Sequence, residues 1–191
     1  MANLPDLKHE NDYVRTTLID WIKSLVSKYN IDGIRIDTIP EVPKWFWKQF
    51  ADASGVYQVG EVFDGRIDYV SDYQNCCLDG VLNYPLFNTL RGVFAYDTSM
   101  NQLESTLAEI NKKFKDPGAL GVFLDNHDNW RFLSKNSDKN KFRNAIAFTI
   151  LTSIFKFYFI LAGIPIIYYG DEQSFNGGDD PYNREPLFGR M

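Results

Sequence analysis

Short apolar segments rich in β-branched residues alternate with longer segments of helical periodicity along almost the whole chain. In the first long segment, Val14, Leu18, Ile22 and Leu25 recur at the spacing of one helix face. Strands that alternate with helices favour βα units and a parallel sheet. The predicted helices cover residues 12–28, 42–53, 85–96, 100–114 and 140–162, and the five predicted strands cover residues 32–37, 56–61, 78–83, 120–125 and 164–169.

Polar residues gather at the C-terminal ends of these predicted strands. In a closed βα barrel that end carries the active site, and in an open doubly wound sheet it faces the ligand crevice. The spacing alone does not decide between the two architectures, but in both of them these side chains are functional candidates. The polar residues are Asp37, Glu61, Asn83, Asn126, His127, Asp128, Asp171 and Glu172.

Three of these acids have sequence surroundings that suit glycoside chemistry. Asp37 follows Arg35 by two residues, so on a strand both side chains share a face, and the arginine would keep the carboxylate ionised. Glu61 ends an apolar strand, which would raise its pKa as a general acid requires, and Asp128 follows a third strand. The alternatives are a structural Arg–Asp pair, a solvated Glu and a loop histidine at position 127 that bonds the backbone.

Bulk properties limit the class of protein without deciding it. The 191 residues suffice for one sizeable core or part of a larger domain. The net charge of −5 and the absence of a basic cluster argue against a nucleic-acid surface. The aromatic content of 16% slightly favours carbohydrate binding. Cys76 and Cys77 are adjacent, so we expect two partly buried thiols and no disulfide framework.

At these residues the chain resembles the α-amylase family, glycoside hydrolase family 13, and is most similar to its fungal-type members. The likeness covers nearly the whole chain in order, and the motifs are jointly specific. It implies that residues 1–191 form about five C-terminal βα units of a (β/α)8 TIM barrel, without its N-terminal strands and without the C-terminal β domain. The stretches that carry the likeness are GIRIDT at 33–38, GEVFDG at 60–65, FLDNHD at 123–128 and GIPIIYYGDE at 163–172, supported by residues 4–7, 79–85 and 177–185.

The resemblance implies roles for individual residues. Asp37 would be the nucleophile, Glu61 the acid/base, and Asp128 the carboxylate that holds distorted sugar hydroxyls, with Arg35 and His127 beside it. The positions that match substrate subsites are Gly65, Asp180 and Arg184. The positions that match calcium contacts are Asp6 and Glu41, and calcium is therefore the implied cofactor.

Three departures from the fungal-type pattern accompany the likeness. Pro40 and Glu41 stand where that pattern places a Lys-His pair, so Glu41 would contact calcium only through its backbone carbonyl. The N-terminal strands with the remaining calcium ligands are missing. Residues 152–160 resemble an insertion before the last strand.

The insertion lengthens an apolar run from Ala145 to Tyr169 to a length that could span a bilayer. Because Lys156 interrupts the run and Pro165 with its neighbours suits a barrel strand, we expect no membrane span. The chain has no recognisable signal peptide, and the family resemblance implies an extracellular or a vacuolar and lysosomal compartment.

Two functional hypotheses remain open at this point. The first is a retaining α-1,4-glucan endohydrolase acting on starch or glycogen, of which this chain is a part. The second is an amylase-like module without activity that binds a glucan or a protein partner. A transglycosylase or α-glucosidase would share the carboxylates of the first hypothesis.

Overall fold

The computed structural model describes residues 5–154 and 163–188, and the predicted alternation of strands and helices is confirmed within them. The strands are β1 (Gly33–Ile36), β2 (Tyr57–Gly60), β3 (Gly80–Val81), β4 (Gly121–Phe123) and β5 (Ile164–Ile166). The α-helices are α1 (Asp12–Tyr29), α2 (Lys44–Ser54), α3 (Ile67–Cys76), α4 (Tyr84–Tyr96), α5 (Asn101–Lys113), α6 (Phe132–Lys135) and α7 (Lys139–Ile154).

All strand pairs in the described residues are parallel, and the strands follow one another in chain order. β2 lies between β1 and β3, β4 pairs with β5, and a parallel bridge from Leu82 to Gly121 joins the two groups. This is the order of consecutive βα units around a barrel wall. Within the part of the chain that the structure describes, the wall does not close, because β1 pairs only with β2 and β5 pairs only with β4.

Local sequence signals set several of the element ends. The Asn11 side chain accepts hydrogen bonds from the backbone amides of Tyr13 and Val14 and so caps α1. Gly55 ends α2 with a φ of 65°, a left-handed conformation that favours glycine. Asn83 lies two residues after the end of β3 and caps α4 through the Leu86 amide. The start of α4 is therefore set by a side chain close to β3.

The helices pack on one face of the strand array and form most of the core. A second, smaller cluster of Leu82, Tyr84, Phe87 and Phe123 lies at the ends of β3 and β4. In it the Phe87 and Phe123 rings stack with their centroids 4.9 Å apart. This cluster holds Tyr84 buried, and the Tyr84 hydroxyl belongs to the site described below.

The structure corrects the sequence predictions at three places. The short helix α6, between β4 and α7, was not predicted. Helix α3, which the sequence pattern did not predict, fills the connection between β2 and β3. The expectation of two separate thiols is wrong, because Cys76 and Cys77 are joined by a disulfide. Cys76 is the last residue of α3 and Cys77 leaves the helical conformation, so the two side chains are not held at helical spacing.

The predicted insertion falls largely on residues 155–162, which lie outside the described residues; α7 extends to Ile154 before them. Among the helices of residues 5–154 and 163–188, none is long and apolar enough to cross a bilayer.

Candidate active site

The ends of β1 and β2 place two carboxylates side by side. Ile36 and Gly60 are partners in the parallel register, so Asp37 and Glu61 follow at the same level. The ladder continues past the strands, since the Glu61 amide donates to the Ile36 carbonyl at 2.8 Å and the Ile39 amide donates to the Glu61 carbonyl at 3.1 Å. The backbone on both sides of Glu61 is therefore tied to the loop that carries Asp37.

Asp37 is held as an anion by its neighbours. Arg35 Nη1 donates to Asp37 Oδ1 at 2.7 Å, and Thr38 Oγ1 donates to Asp37 Oδ2 at 2.9 Å. The hydrogen bond from Arg35, followed by that from Thr38, lowers the pKa of Asp37 below its ordinary value. The Asp37 side chain is 65% exposed, which leaves its carboxylate open to a ligand.

Glu61 has the opposite environment. It is only 7% exposed, and this burial raises the pKa of Glu61 above its ordinary value. The hydrogen bond from the Tyr84 hydroxyl to Oε1 at 3.0 Å and the Arg35 charge, with Nη2 at 3.3 Å, oppose that rise. The neighbouring charge of Asp37 also raises the pKa of Glu61.

A chain of hydrogen bonds leads from Glu61 to the loop after β4. Asn126 Nδ2 donates to the Tyr84 hydroxyl oxygen at 2.9 Å, so the hydroxyl proton is directed to Glu61. Asn126 Oδ1 accepts from the backbone amides of Asp128 at 3.2 Å and Asn129 at 3.0 Å. The acid at the end of β2 and the loop that carries Asp128 are thus linked through two side chains.

Asp128 lies between a histidine and an arginine. His127 Nε2 is 3.0 Å from Asp128 Oδ2, and Arg184 Nη2 is 3.5 Å from Asp128 Oδ1. Arg184 Nε also contacts Asp180 Oδ1 at 2.6 Å. The structure therefore brings together four of the predicted residues, those at positions 127, 128, 180 and 184.

Gly65 lies in the loop after β2, where a Cβ atom would come within 2.6 Å of Asn88 Nδ2. On the same side of the site, a cavity of about 210 Å³ opens beside Glu61. Glu41 and Phe63 line it together with Glu61. The residue that departs from the family pattern, Glu41, thus borders the cavity of the buried acid.

The two predicted calcium positions do not form a metal centre in this structure. Asp6 is exposed and its Oδ1 accepts from the Leu7 amide at 2.7 Å, and Glu41 is also exposed. Among residues 5–154 and 163–188, no group of three or more His, Cys, Asp and Glu side chains could hold a metal ion. The residues present therefore do not fit a calcium site by themselves, and calcium stays a prediction.

A buried network of charged side chains anchors the segment that carries Asn183 and Arg184, and the sequence analysis did not predict it. Arg131 is fully buried and pairs with Asp171 at 3.1 Å and Glu185 at 2.5 Å. Burial, followed by the charge of Asp125, raises the pKa of Asp171 to about 8. The polar residue at the end of β5 is thus 5% exposed and joins a structural network. This role of Asp171 follows from contacts between residues far apart in the sequence, which the local sequence pattern does not indicate.

The arrangement joins a carboxylate with a lowered pKa to a buried carboxyl with a raised pKa, at the ends of adjacent strands. Such a pair can attack a carbon centre from one oxygen and protonate a leaving oxygen from the other. Asp37 and Glu61 follow paired residues of adjacent parallel strands, and the Arg35 guanidinium contacts both carboxyl groups, which suits the closer spacing of a retaining glycosidase better than the wider spacing of an inverting one. The geometry therefore suits double displacement.

Comparison with known proteins agrees with this geometry. Residues 1–185 match the model of the alpha-amylase catalytic domain. The chain is 45% identical to Alpha-amylase 1 of Lipomyces kononenkoae over 97% of its own length and 28% of that protein. An alpha-amylase structure from Malbranchea cinnamomea superposes with a TM-score of 0.88 at 44% identity, over 96% of this chain and 37% of that one.

A solved cyclomaltodextrin glucanotransferase is also similar, with a TM-score of 0.85 and 35% identity over 98% of this chain and 39% of that one. The chain thus spans about a third of the length of these relatives, and its open strand array corresponds to part of their (β/α)8 barrel. On the family match over residues 1–185, the chain belongs to the alpha-amylase family and represents part of its catalytic domain.

Proposed function

We propose that the chain carries the catalytic carboxylates of a retaining α-1,4-glucan endohydrolase that acts on starch or glycogen. The observation that supports this most is the pair formed by Asp37 and Glu61. One carboxylate is exposed and held ionised by Arg35, while its neighbour is buried and has a raised pKa. Asp37 attacks the anomeric carbon, and Glu61 protonates the leaving oxygen and then activates water.

Asp128 completes the proposed set. Its carboxylate is 34% exposed and lies among His127, Arg184 and Asp180, a group of donors and acceptors that suits sugar hydroxyls. Arg35 has a different role, because its guanidinium contacts both Asp37 and Glu61 and stabilises the negative charge of each carboxylate. Gly65, on the Glu61 side, keeps the neighbouring loop free of a side chain.

The test is starch hydrolysis by the complete polypeptide, meaning residues 1–191 with any flanking sequence it carries. We expect Asp37→Asn and Glu61→Gln each to abolish the release of reducing sugar while the circular dichroism spectrum stays unchanged. Asp97→Asn serves as a matched control, because Asp97 pairs with Lys141 on the surface. Undiminished hydrolysis by Asp37→Asn would refute the assignment. Retention predicts that the first product is the α-anomer, which proton NMR detects.

A second candidate function is an amylase-like module that binds glucan without cleaving it. The observation that favours it is the strand β5, whose three residues are all exposed, including Ile164 and Ile166. A wall with open edges does not hold a substrate on all sides, and exposed edges favour pairing with another chain. We therefore expect the isolated 191-residue chain to have negligible activity. Substantial hydrolysis of starch by that purified chain would contradict this expectation.

Calcium binding is the remaining part of the proposal. Asp6 and Glu41 supply two of the six to eight oxygen ligands that calcium takes, so further ligands would have to come from other segments. Thermal unfolding of the isolated chain with millimolar calcium or with a chelator tests this. We expect no difference in Tm for the isolated chain, and a calcium-dependent rise would show that its own residues suffice.

A further inference from the structure

Asn183 bonds the backbone on both sides of Asp128. Its side chain is fully buried, and Nδ2 donates to the His127 carbonyl at 2.8 Å and to the Asn129 carbonyl at 2.7 Å. Because both partners are carbonyl oxygens, which only accept, the atom between them has to be the amide nitrogen. The orientation of the Asn183 side chain is therefore fixed by its partners.

The segment that carries Asn183 is itself firmly anchored. Arg131 Nε donates to the Asn183 carbonyl at 3.1 Å, and the Arg131 amide donates to the Gly177 carbonyl at 3.1 Å. Arg184, the next residue along, contacts the Asp128 carboxylate and Asp180. One short segment thus touches both the backbone and the side chain of the Asp128 loop.

We propose that Asn183 is a positioning residue, which sets the place of the Asp128 carboxylate by clamping the carbonyl groups before and after it. The inference rests on the proposed function, since it assigns Asn183 a part in the same reaction. On the other side of the loop, Asn126 holds the Asp128 amide. Without Asn183 the loop keeps the Asn126 bonds and the side-chain contacts of Asp128, but both carbonyl groups around Asp128 lose their donor, and the carboxylate moves relative to Asp37 and Glu61.

A purely structural role for Asn183 is the alternative, and Gln74 provides the matched control. Gln74 is 3% exposed, and its Nε2 donates to two backbone carbonyls, those of Asp79 at 2.9 Å and Asp116 at 2.7 Å. It lies beside the N-terminal ends of the strands, away from the carboxylates. Gln74→Ala and Asn183→Ala therefore each remove one buried amide that bridges two carbonyls.

The experiment is a double-mutant cycle on starch hydrolysis by the complete polypeptide. We expect Asn183→Ala to lower kcat by about a hundredfold, the scale of a 1 Å displacement in an active site, with a much smaller change in KM. Gln74→Ala should lower Tm by about as much as Asn183→Ala does, and it should leave kcat unaffected. In the Asp128→Asn background, Asn183→Ala should change kcat by no more than about twofold, because it acts through the missing carboxylate. A full additional loss in that background would overturn the proposal.

Amide hydrogen exchange tests the clamp independently of activity. We expect Asn183→Ala to raise exchange in residues 126–130 and Gln74→Ala to leave that segment unchanged. Unchanged exchange in Asn183→Ala would overturn the proposal even if activity fell. If Asp128→Asn retained full activity while exchange responded as expected, the clamp would stand and the assigned role of Asp128 would fail.

Discussion

Tyr84→Phe removes a neutral hydroxyl that bonds the buried carboxyl group of Glu61. The Tyr84 hydroxyl donates to Glu61 Oε1 at 3.0 Å and accepts from Asn126 Nδ2 at 2.9 Å, so the hydroxyl proton points to Glu61. That donation stabilises the ionised form of Glu61 and lowers its pKa against the effect of burial. Removing the hydroxyl therefore raises the pKa of Glu61, while the ring remains to fill the aromatic cluster.

The magnitude follows from the charged partner. A hydrogen bond to an ionised group contributes about 1.5–3 kcal/mol, and about 1.4 kcal/mol changes a protonation equilibrium tenfold. Because Glu61 has to be protonated to act as general acid, we expect the alkaline limb of the pH-activity profile to move to higher pH. At an alkaline pH on that limb, the variant should retain about tenfold more of its own maximal kcat/KM than the wild type does.

The assay is kcat/KM for a soluble maltooligosaccharide as a function of pH, with the complete polypeptide. Tyr57→Phe is the control, because the Tyr57 hydroxyl donates to the Ala119 carbonyl at 2.7 Å at the opposite ends of the strands. It should leave the profile unchanged. An alkaline limb that stays in place in Tyr84→Phe, or moves to lower pH, would refute the assignment of the hydroxyl as a donor to the working acid.

Three further predictions concern stability. Glu61 has a raised pKa in the folded chain, so its contribution to the free energy of unfolding is present at low pH and is lost as pH rises through that pKa. The Tm of Glu61→Gln should therefore exceed that of the wild type by an amount that grows with pH. A difference in Tm that stays constant with pH would contradict this. Arg131→Met removes a buried guanidinium that bonds Asp171 and the carbonyls of Asn183 and Tyr169, and should cost about 3–5 kcal/mol in urea unfolding; a loss below about 1 kcal/mol, on the scale of exposed pairs, would contradict the buried network. Gly80→Ala places a Cβ within 2.0 Å of the Ala119 carbonyl oxygen and should cost about 1–3 kcal/mol or prevent folding; wild-type stability would show that this approach is looser.

The proposed catalytic acids could be placed at strand ends from the sequence because strand ends are local properties and consecutive βα units usually lie side by side. The first two predicted strands end within one residue of their observed ends, while the last three were predicted to extend two or three residues beyond theirs. The parallel arrangement puts Asp37 and Glu61 at one level. The opposite pKa shifts were also predictable, from an adjacent arginine and an apolar strand. For these residues, side chains close in sequence determine much of the surroundings.

The rest depends on contacts that no local pattern encodes. Asn183 reaches carbonyls 54 and 56 residues away, and Tyr84 reaches Glu61 across 23 residues. Helix α3 starts without a side-chain cap, but so do the predicted helices α2 and α5, so the missing cap does not explain why α3 was not predicted. Long-range polar contacts are visible only in the structure.

The most direct test of the central claim is the identity of the residue that becomes glycosylated. With Glu61→Gln and an α-maltosyl fluoride, the fluoride leaves without an acid, and the missing base slows hydrolysis of the glycosyl-enzyme. Peptide mass mapping of the trapped complete polypeptide should find the sugar on Asp37. A sugar on Asp128 or on any other residue, or an active wild type whose Glu61→Gln variant turns the fluoride over with no adduct, would contradict the account.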